Sequence, residues 1–294
     1  MACSSGADRA ANDSGVARDS LRVDTAVTVL RFTEWAPVAG RHLLVAAGAT
    51  DTALVVFPEF TIDSTLSSAP LTVSGDALVD YSLFAPDGSV TTGRLTTLIE
   101  RRQPGCDGWP VGYLSTSSGE RRLWTIGLRA GRARPIPYLA LDRHSSRDSA
   151  RVVVDLTRLA SQAPNDTLAS FQGLPYVVRS AYSATLADSQ SLVFGELVRR
   201  VNIEASPHEE RITVIGERLL AAGTSPYVLA YSERHAGDEE SVPTTELIGL
   251  VELRDGTVAA FGAREFSDGG TFVMFERNRS GRWRLRWQSA YAGC

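Results

Sequence analysis

The stretch LVFGELVRRVNIEASPHEERITVIGERL, running from Leu192, places carboxylates on both arms of what reads as a β-hairpin. A four-residue turn at Ala205–His208 would pair Glu204 with Glu209, Arg200 with Thr213 and Glu196 with Glu217. Carboxylates directly opposite one another repel, so a Glu196–Glu217 pair requires an arginine, a cation or a shared proton. Two such carboxylates are the equipment of general acid–base hydrolysis, which makes Glu196 and Glu217 the candidate catalytic residues. The competing reading of the same residues is a solvated face crossed by Arg200 and Arg211.

Two clusters have the residue types of a metal site: His208, Glu209 and Glu210, and His235 with Asp238, Glu239 and Glu240. Neither HEER nor HAGDEE has the i, i+4 histidine spacing of a helical zinc motif, and both lie beside turns. Asp238, Glu239 and Glu240 are the candidate cation loop, with an ordinary acidic surface loop as the alternative. His42 and His144 have no chemical partner nearby in sequence. The chain has no Gly-x-Ser-x-Gly elbow, no phosphate-cradling loop ending in Lys and no dinucleotide fingerprint, so no cofactor is expected. All 30 basic residues are arginine, which excludes lysine-dependent Schiff-base chemistry. Serine triads assembled in space remain open.

Three cysteines remain to be placed, Cys3, Cys106 and Cys294. Ala2-Cys3-Ser4-Ser5-Gly6 resembles the processing site of bacterial lipoproteins, where a small residue precedes a cysteine that becomes lipidated. The resemblance covers only these residues. It implies lipid attachment at Cys3 and a protein held at a membrane surface by that anchor alone. Cys106, in the loop QPGCDGWP, and Cys294 are then left to pair, which would clamp the terminal strand. Two unrelated thiols are the alternative.

The terminal strand alternates Trp283, Leu285 and Trp287, with Tyr291 beyond, against Arg282, Arg284 and Arg286. That is the period of a strand buried on one face, with the tryptophans together on it. A turn at Asn278–Gly281 would set Arg284 opposite Phe275 and Arg286 opposite Val273. A net charge of −4 argues against a chain that neutralises phosphates, so no nucleic-acid partner is expected.

The elements that must position these groups are mostly strands. β-branched and aromatic runs occur at 26–35, 53–62 and 77–84, then at 89–100, 111–116 and 121–129. Ala85-Pro86-Asp87-Gly88 is a turn between two of them. DSARVVVDLTRLASQAP predicts a helix over 149–163, capped by Asp148 or Ser149, with Val153, Leu156, Leu159, Ala160 and Ala163 on its apolar stripe. A further helical turn is expected within 166–171. Runs at 176–185, 191–204, 209–219 and 226–234 follow, then four strands joined by short turns, which is an antiparallel meander. The segment VELRDGTVAAFGAREFSDGGTFVMFER is similar to integrin-type calcium repeats of exported β-propellers, although only Asp255 and Gly256 of that loop pattern are present.

The expected organisation is a disordered tether over 1–20, a first β-meander region over 21–147, a helical connector over 148–173 and a second β-meander region over 174–294. The fold class is mainly β, antiparallel meanders with one central helix, as a tandem barrel or sandwich or as a small propeller. The functional expectation is an exported, lipid-anchored binding or structural module acting on an unidentified envelope component in the periplasm or at the cell surface. A hydrolase of envelope polymers using Glu196 and Glu217 and a calcium-dependent binding protein are the alternatives.

Overall fold

The computed structural model describes residues 42–58, 79–99, 106–116, 123–164, 168–186, 189–201, 207–220 and 225–293. Cys3, Cys294 and the expected strand at 26–35 lie outside the described residues, as does the tether.

Six strands close a small antiparallel barrel: β1 (Leu43–Ala46), β2 (Thr52–Val56), β3 (Asp80–Phe84), β4 (Val90–Ile99), β5 (Val111–Thr116) and β6 (Ile126–Arg129). Closure runs in the order β1-β2-β5-β4-β3-β6 and leaves no free edge. Two short strands follow, β7 (Ala133–Pro135) and β8 (Tyr138–Ala140), then helix α1 (Ser146–Gln162). The chain continues through β9 (Val177–Thr185), β10 (Gln190–Val201), β11 (His208–Leu219) and β12 (Val228–Asp238). It ends in β13 (Thr244–Leu253), β14 (Val258–Glu265), β15 (Gly269–Arg277), β16 (Trp283–Gln288) and β17 (Ala292–Gly293). The fold is mainly β and antiparallel, a barrel joined to a pair of packed sheets.

The second region folds as two antiparallel sheets, each built around a four-strand meander. One runs β12-β11-β10-β9-β8 and the other β16-β15-β14-β13-β7. β7 and β8 come before α1 in the chain, yet each supplies an edge strand to one of these sheets. Three apolar cores then order the layers. The first joins the barrel to one face of the six-stranded sheet through Leu44, Leu83, Phe261, Met274 and Trp287. The second lies between the two sheets around Phe194, Ile215, Leu250 and Phe275. The third holds α1 on the outer face of the five-stranded sheet. Helix, sheet, sheet and barrel therefore stack, and β14 and β15 are buried on both faces.

Helix α1 begins three residues earlier than its periodicity indicates. Ser145 is the cap: its Oγ accepts from the Asp148 backbone N–H at 3.2 Å and donates to Asp148 Oδ2 at 2.7 Å. The helix ends at Gln162, ahead of Pro164. The buried stripe is Val152, Leu156, Leu159 and Ala160, with Val152 in place of Val153. The later helical turn is a 3-10 turn at Ala169–Phe171.

Two glycines let α1 sit close. A Cβ on Gly216 would stand 2.5 Å from Leu159 Cδ1, and one on Gly195 would stand 2.7 Å from Leu156 Cδ1. Gly216→Val is therefore expected to push the helix outward, at about 1–3 kcal/mol of overpacking, read as a lower urea midpoint. An unchanged midpoint would show that α1 docks without that close contact.

The terminal strand departs from its expected register. Trp283 pairs with Arg277, Arg284 with Glu276 and Leu285 with Phe275, but Trp287 pairs with Met274. Arg286 is the extra residue of a β-bulge, which reverses the faces of everything after it. Trp283 thus faces the five-stranded sheet while Trp287 faces the barrel, where its Nε1 donates to Pro58 O at 3.1 Å. The tryptophans are not on one face. Arg284 and Arg286 meet Glu276 at 3.0 and 3.3 Å.

Candidate functional site

The expected carboxylate pair does not form. β10 and β11 pair four residues out of the expected register, so that Glu196 lies opposite Thr213, Leu192 opposite Glu217 and Arg200 opposite Glu209. The connection is longer than a four-residue turn, because β10 stops at Val201 and β11 starts at His208. The charges account for the register. Arg199-Arg200 meet Glu210-Glu209 directly across the hairpin, where the expected alignment would have set Glu204 against Glu209. Glu196 and Glu217 share a face but sit four positions apart along the strand direction, about 13 Å.

Each carboxylate is absorbed by packing. Glu217 Oε1 accepts from Arg277 Nε and from Trp283 Nε1, both at 2.6 Å, which ties the two sheets together. Glu196 is 1% exposed between the sheets, where Oε2 accepts from the Thr245 backbone N–H at 2.5 Å. Among the described residues its buried Oε1 finds no hydrogen-bond partner, and neither does the Oγ of Ser180 directly opposite. Burial pushes the Glu196 carboxyl up to about 7, against the Thr245 N–H and the charges of Arg211 and Arg179. Glu196 and Glu217 line neither of the two cavities described below.

The inter-sheet space around Glu196 holds further ion pairs. Arg211 binds Glu209 at 2.7 Å through Nε, and its Nη1 donates to Val242 O at 2.9 Å and Thr244 Oγ1 at 2.6 Å. Arg264 reaches from β14 to Glu233 on β12, and Tyr231 OH donates to the same carboxylate oxygen at 3.0 Å. On the opposite face of the five-stranded sheet, Glu210 Oε2 accepts from Arg199 at 2.6 Å, Arg234 at 2.8 Å and Tyr176 OH at 2.9 Å. Glu209 and Glu210 of the first metal candidate therefore point to opposite faces and cannot ligate one ion together. In the second, Glu239 binds Arg200 at 2.7 Å and Asp238 lies 3.4 Å from His208. Among the described residues no group of three or more His, Cys, Asp or Glu side chains is arranged to hold a metal ion.

An open cavity of about 520 Å³ lies instead between α1 and the edge of the five-stranded sheet. Its helical wall is one stripe, Asp148, Arg151, Val152 and Asp155, at i, i+3, i+4 and i+7. Ser183, Ser191 and Arg218 line the sheet side. His144, which follows the 3-10 turn at Leu141–Arg143, brings Nε2 to 3.0 Å from Ser183 Oγ. Tyr227 OH lies 2.7 Å from Ser191 Oγ, and the Arg218 guanidinium stacks 4.4 Å above the Tyr227 ring. This constellation was not expected from the sequence: His144 and Ser183 are 39 residues apart, and the pairing of β8 with β9, which sets Leu139 opposite Ser183, brings them together. The arrangement supplies hydroxyl and imidazole hydrogen bonds, one stacked cation and an aromatic floor. A smaller cavity of about 350 Å³ lies between the barrel and the six-stranded sheet, bordered by Trp109, Phe266 and Phe272.

Comparison of the chain with protein-family models, with curated proteins and with solved structures found no match.

Proposed function

We propose that the chain is a non-enzymatic, extracytoplasmic binding module of the bacterial envelope that takes its ligand in the cavity beneath α1. One observation carries the reading: this concavity is open to solvent, and polar side chains converge on it from α1, the His144 turn and the strands of the five-stranded sheet. The paired-carboxylate hydrolase loses its geometry, since Glu196 and Glu217 serve separate structural contacts.

The compartment is part of the proposal. Asp107 and Gly293 exchange both backbone hydrogen bonds, at 2.9 and 2.8 Å. Cys106 immediately precedes that bridge and Cys294 follows Gly293 in sequence, which supports a proposed Cys106–Cys294 bond formed in an oxidising environment. Alkylation of the native protein should leave both sulfurs unmodified until a reductant is added; free thiols on both would remove the oxidising compartment from the reading. Membrane association is proposed through a lipid on Cys3 alone, and no helix among the described residues is long and apolar enough to cross a membrane.

The binding role is tested by a thermal-unfolding screen of envelope-derived fragments. A ligand of the folded state must raise Tm, and Thr185→Trp, at the exposed edge of the cavity, should abolish the rise. Hits that survive Thr185→Trp, or turnover of any fragment, would overturn it.

A further inference from the structure

Almost every partly buried arginine of the two packed sheets has a carboxylate. Arg199 and Arg234 share Glu210, Arg211 has Glu209, Arg264 has Glu233, Arg277 has Glu217, and Arg286 has Glu276. Arg218 is built differently. Among the described residues it makes no ion pair, its Nε is buried with no hydrogen-bond partner, and its one contact with another charged or aromatic group is the ring of Tyr227. A buried guanidinium donor left without an acceptor carries a desolvation penalty that an arriving acceptor would relieve.

We propose that Arg218 anchors an oxyanion-binding subsite, so that the ligand of the cavity carries a carboxylate or a phosphate group. This rests on the cavity being the binding site. Guanidinium is the side chain whose planar donors match either group in a two-point contact. Stacking on Tyr227 fixes its plane, and the Tyr227–Ser191 hydrogen bond fixes the ring in turn. Ser183 and His144, on the same cavity wall, are the further hydrogen-bonding groups within the site. The acidic groups that share the cavity set a limit. Asp155 is held by Arg158 at 3.3 Å and Asp148 by the Ser145 hydroxyl, but both line the helical wall, with Asp87 at the rim, and oppose a highly charged ligand. Arg151 on the same wall offsets part of that negative charge, and the balance still favours a monoanion over a polyanion.

The test follows the arginine Nε–Hε resonances of the protein by NMR during titration with propionate in one arm and dimethyl phosphate, also a monoanion, in the other. Expected is a saturable downfield movement of the Arg218 signal, with the arm that acts at lower concentration naming the group. Arg218→Gln should weaken binding of that anion by roughly tenfold or more, the loss of a charge-assisted hydrogen bond. A fragment from the thermal screen that binds Arg218→Gln as well as it binds the parent, while the Arg218 signal stays still, would overturn the subsite and leave the cavity reading intact. Absence of any cavity ligand would overturn both. Should Arg218→Gln not fold, the wild-type Arg218 signal decides by itself: no saturable movement with either anion rejects the proposal.

Discussion

Replacing Arg264 with leucine is expected to cost about 3–5 kcal/mol of stability, because it leaves Glu233 as an unpaired charge between two sheets. Arg264 is 3% exposed and Glu233 is 9% exposed, and the pair bridges β14 and β12. Arg264 Nη1 also donates to Gln288 Oε1 at 3.1 Å, so one side chain ties β14 to β12 of the other sheet and to β16 of its own. Burial raises the Glu233 carboxyl, but His235, 3.3 Å away, and the Arg264 charge outweigh it and hold the carboxyl down at about 2. A carboxyl lowered in the folded state contributes stability above its unfolded value near 4, and the contribution disappears as pH falls toward 2. The variant should therefore lose most at neutral pH and least in acid, as urea midpoints across that range would record. The double change Arg264→Leu with Glu233→Leu separates the charge from the packing. It removes both partners, so it should recover much of the loss. If the double variant is less stable than Arg264→Leu alone, the ion pair is not the source of the effect.

How much of this was legible in the sequence depended on what sets each feature. Turns were readable, because residue type decides them: Gly88 closes Ala85–Gly88 at φ +83°, donating to Ala85 O at 3.0 Å. The strands β9 to β16 followed from their apolar runs, and the fold class from them. Bulges were not readable. The extra residues Arg179, Ala230, Ile248 and Arg286 look like ordinary members of an alternating pattern, yet each turns the following residues to the other face. That is why Trp283 and Trp287, in step by sequence, pack in different cores.

The hairpin of β10 and β11 failed for a different reason. Turn chemistry between Val201 and His208 is weak, so loop length was free, and the register had to come from the strands. The signal was present as Arg199-Arg200 and Glu209-Glu210: aligning opposite charges gives the observed register, whereas aligning a short turn does not. The cavity was beyond reach for a third reason. His144, Ser183 and Arg218 lie on a turn and two strands, and only non-local strand pairing, with α1 packed over Gly195 and Gly216 as the facing wall, brings them to one cavity. Charge in this molecule does two kinds of work as a result. Most strand arginines are consumed in choosing register and sheet partner, and Arg218 is left to face the cavity.

Glu196→Gln is expected to remove a loss of stability that the parent protein suffers as pH rises. The groups around the carboxyl are Thr245 on β13, Arg211 and Glu209 on β11, and Arg179 and Tyr182 on β9. Burial dominates, and the carboxyl is pushed up from 4.5 to about 7. A carboxyl raised in the folded state contributes stability that is complete below its unfolded value and is lost as pH climbs through its folded one. At about 1.4 kcal/mol per pH unit, the parent should lose about 3 kcal/mol between pH 4.5 and pH 7 from this residue. Glutamine keeps an acceptor for the Thr245 N–H and places an amide where Oε1 and the Ser180 hydroxyl lack partners. It cannot ionise, so its unfolding free energy should stay level over the same interval. Glu233 does not confuse the comparison, because its contribution changes only in more acidic solution and is common to both proteins. Urea unfolding of the two at half-unit pH steps gives the difference directly. Parallel curves would mean that Glu196 is ionised in the fold, paired with Arg211 or Arg179 rather than protonated, and that the two sheets meet across a salt bridge instead of a neutral acid.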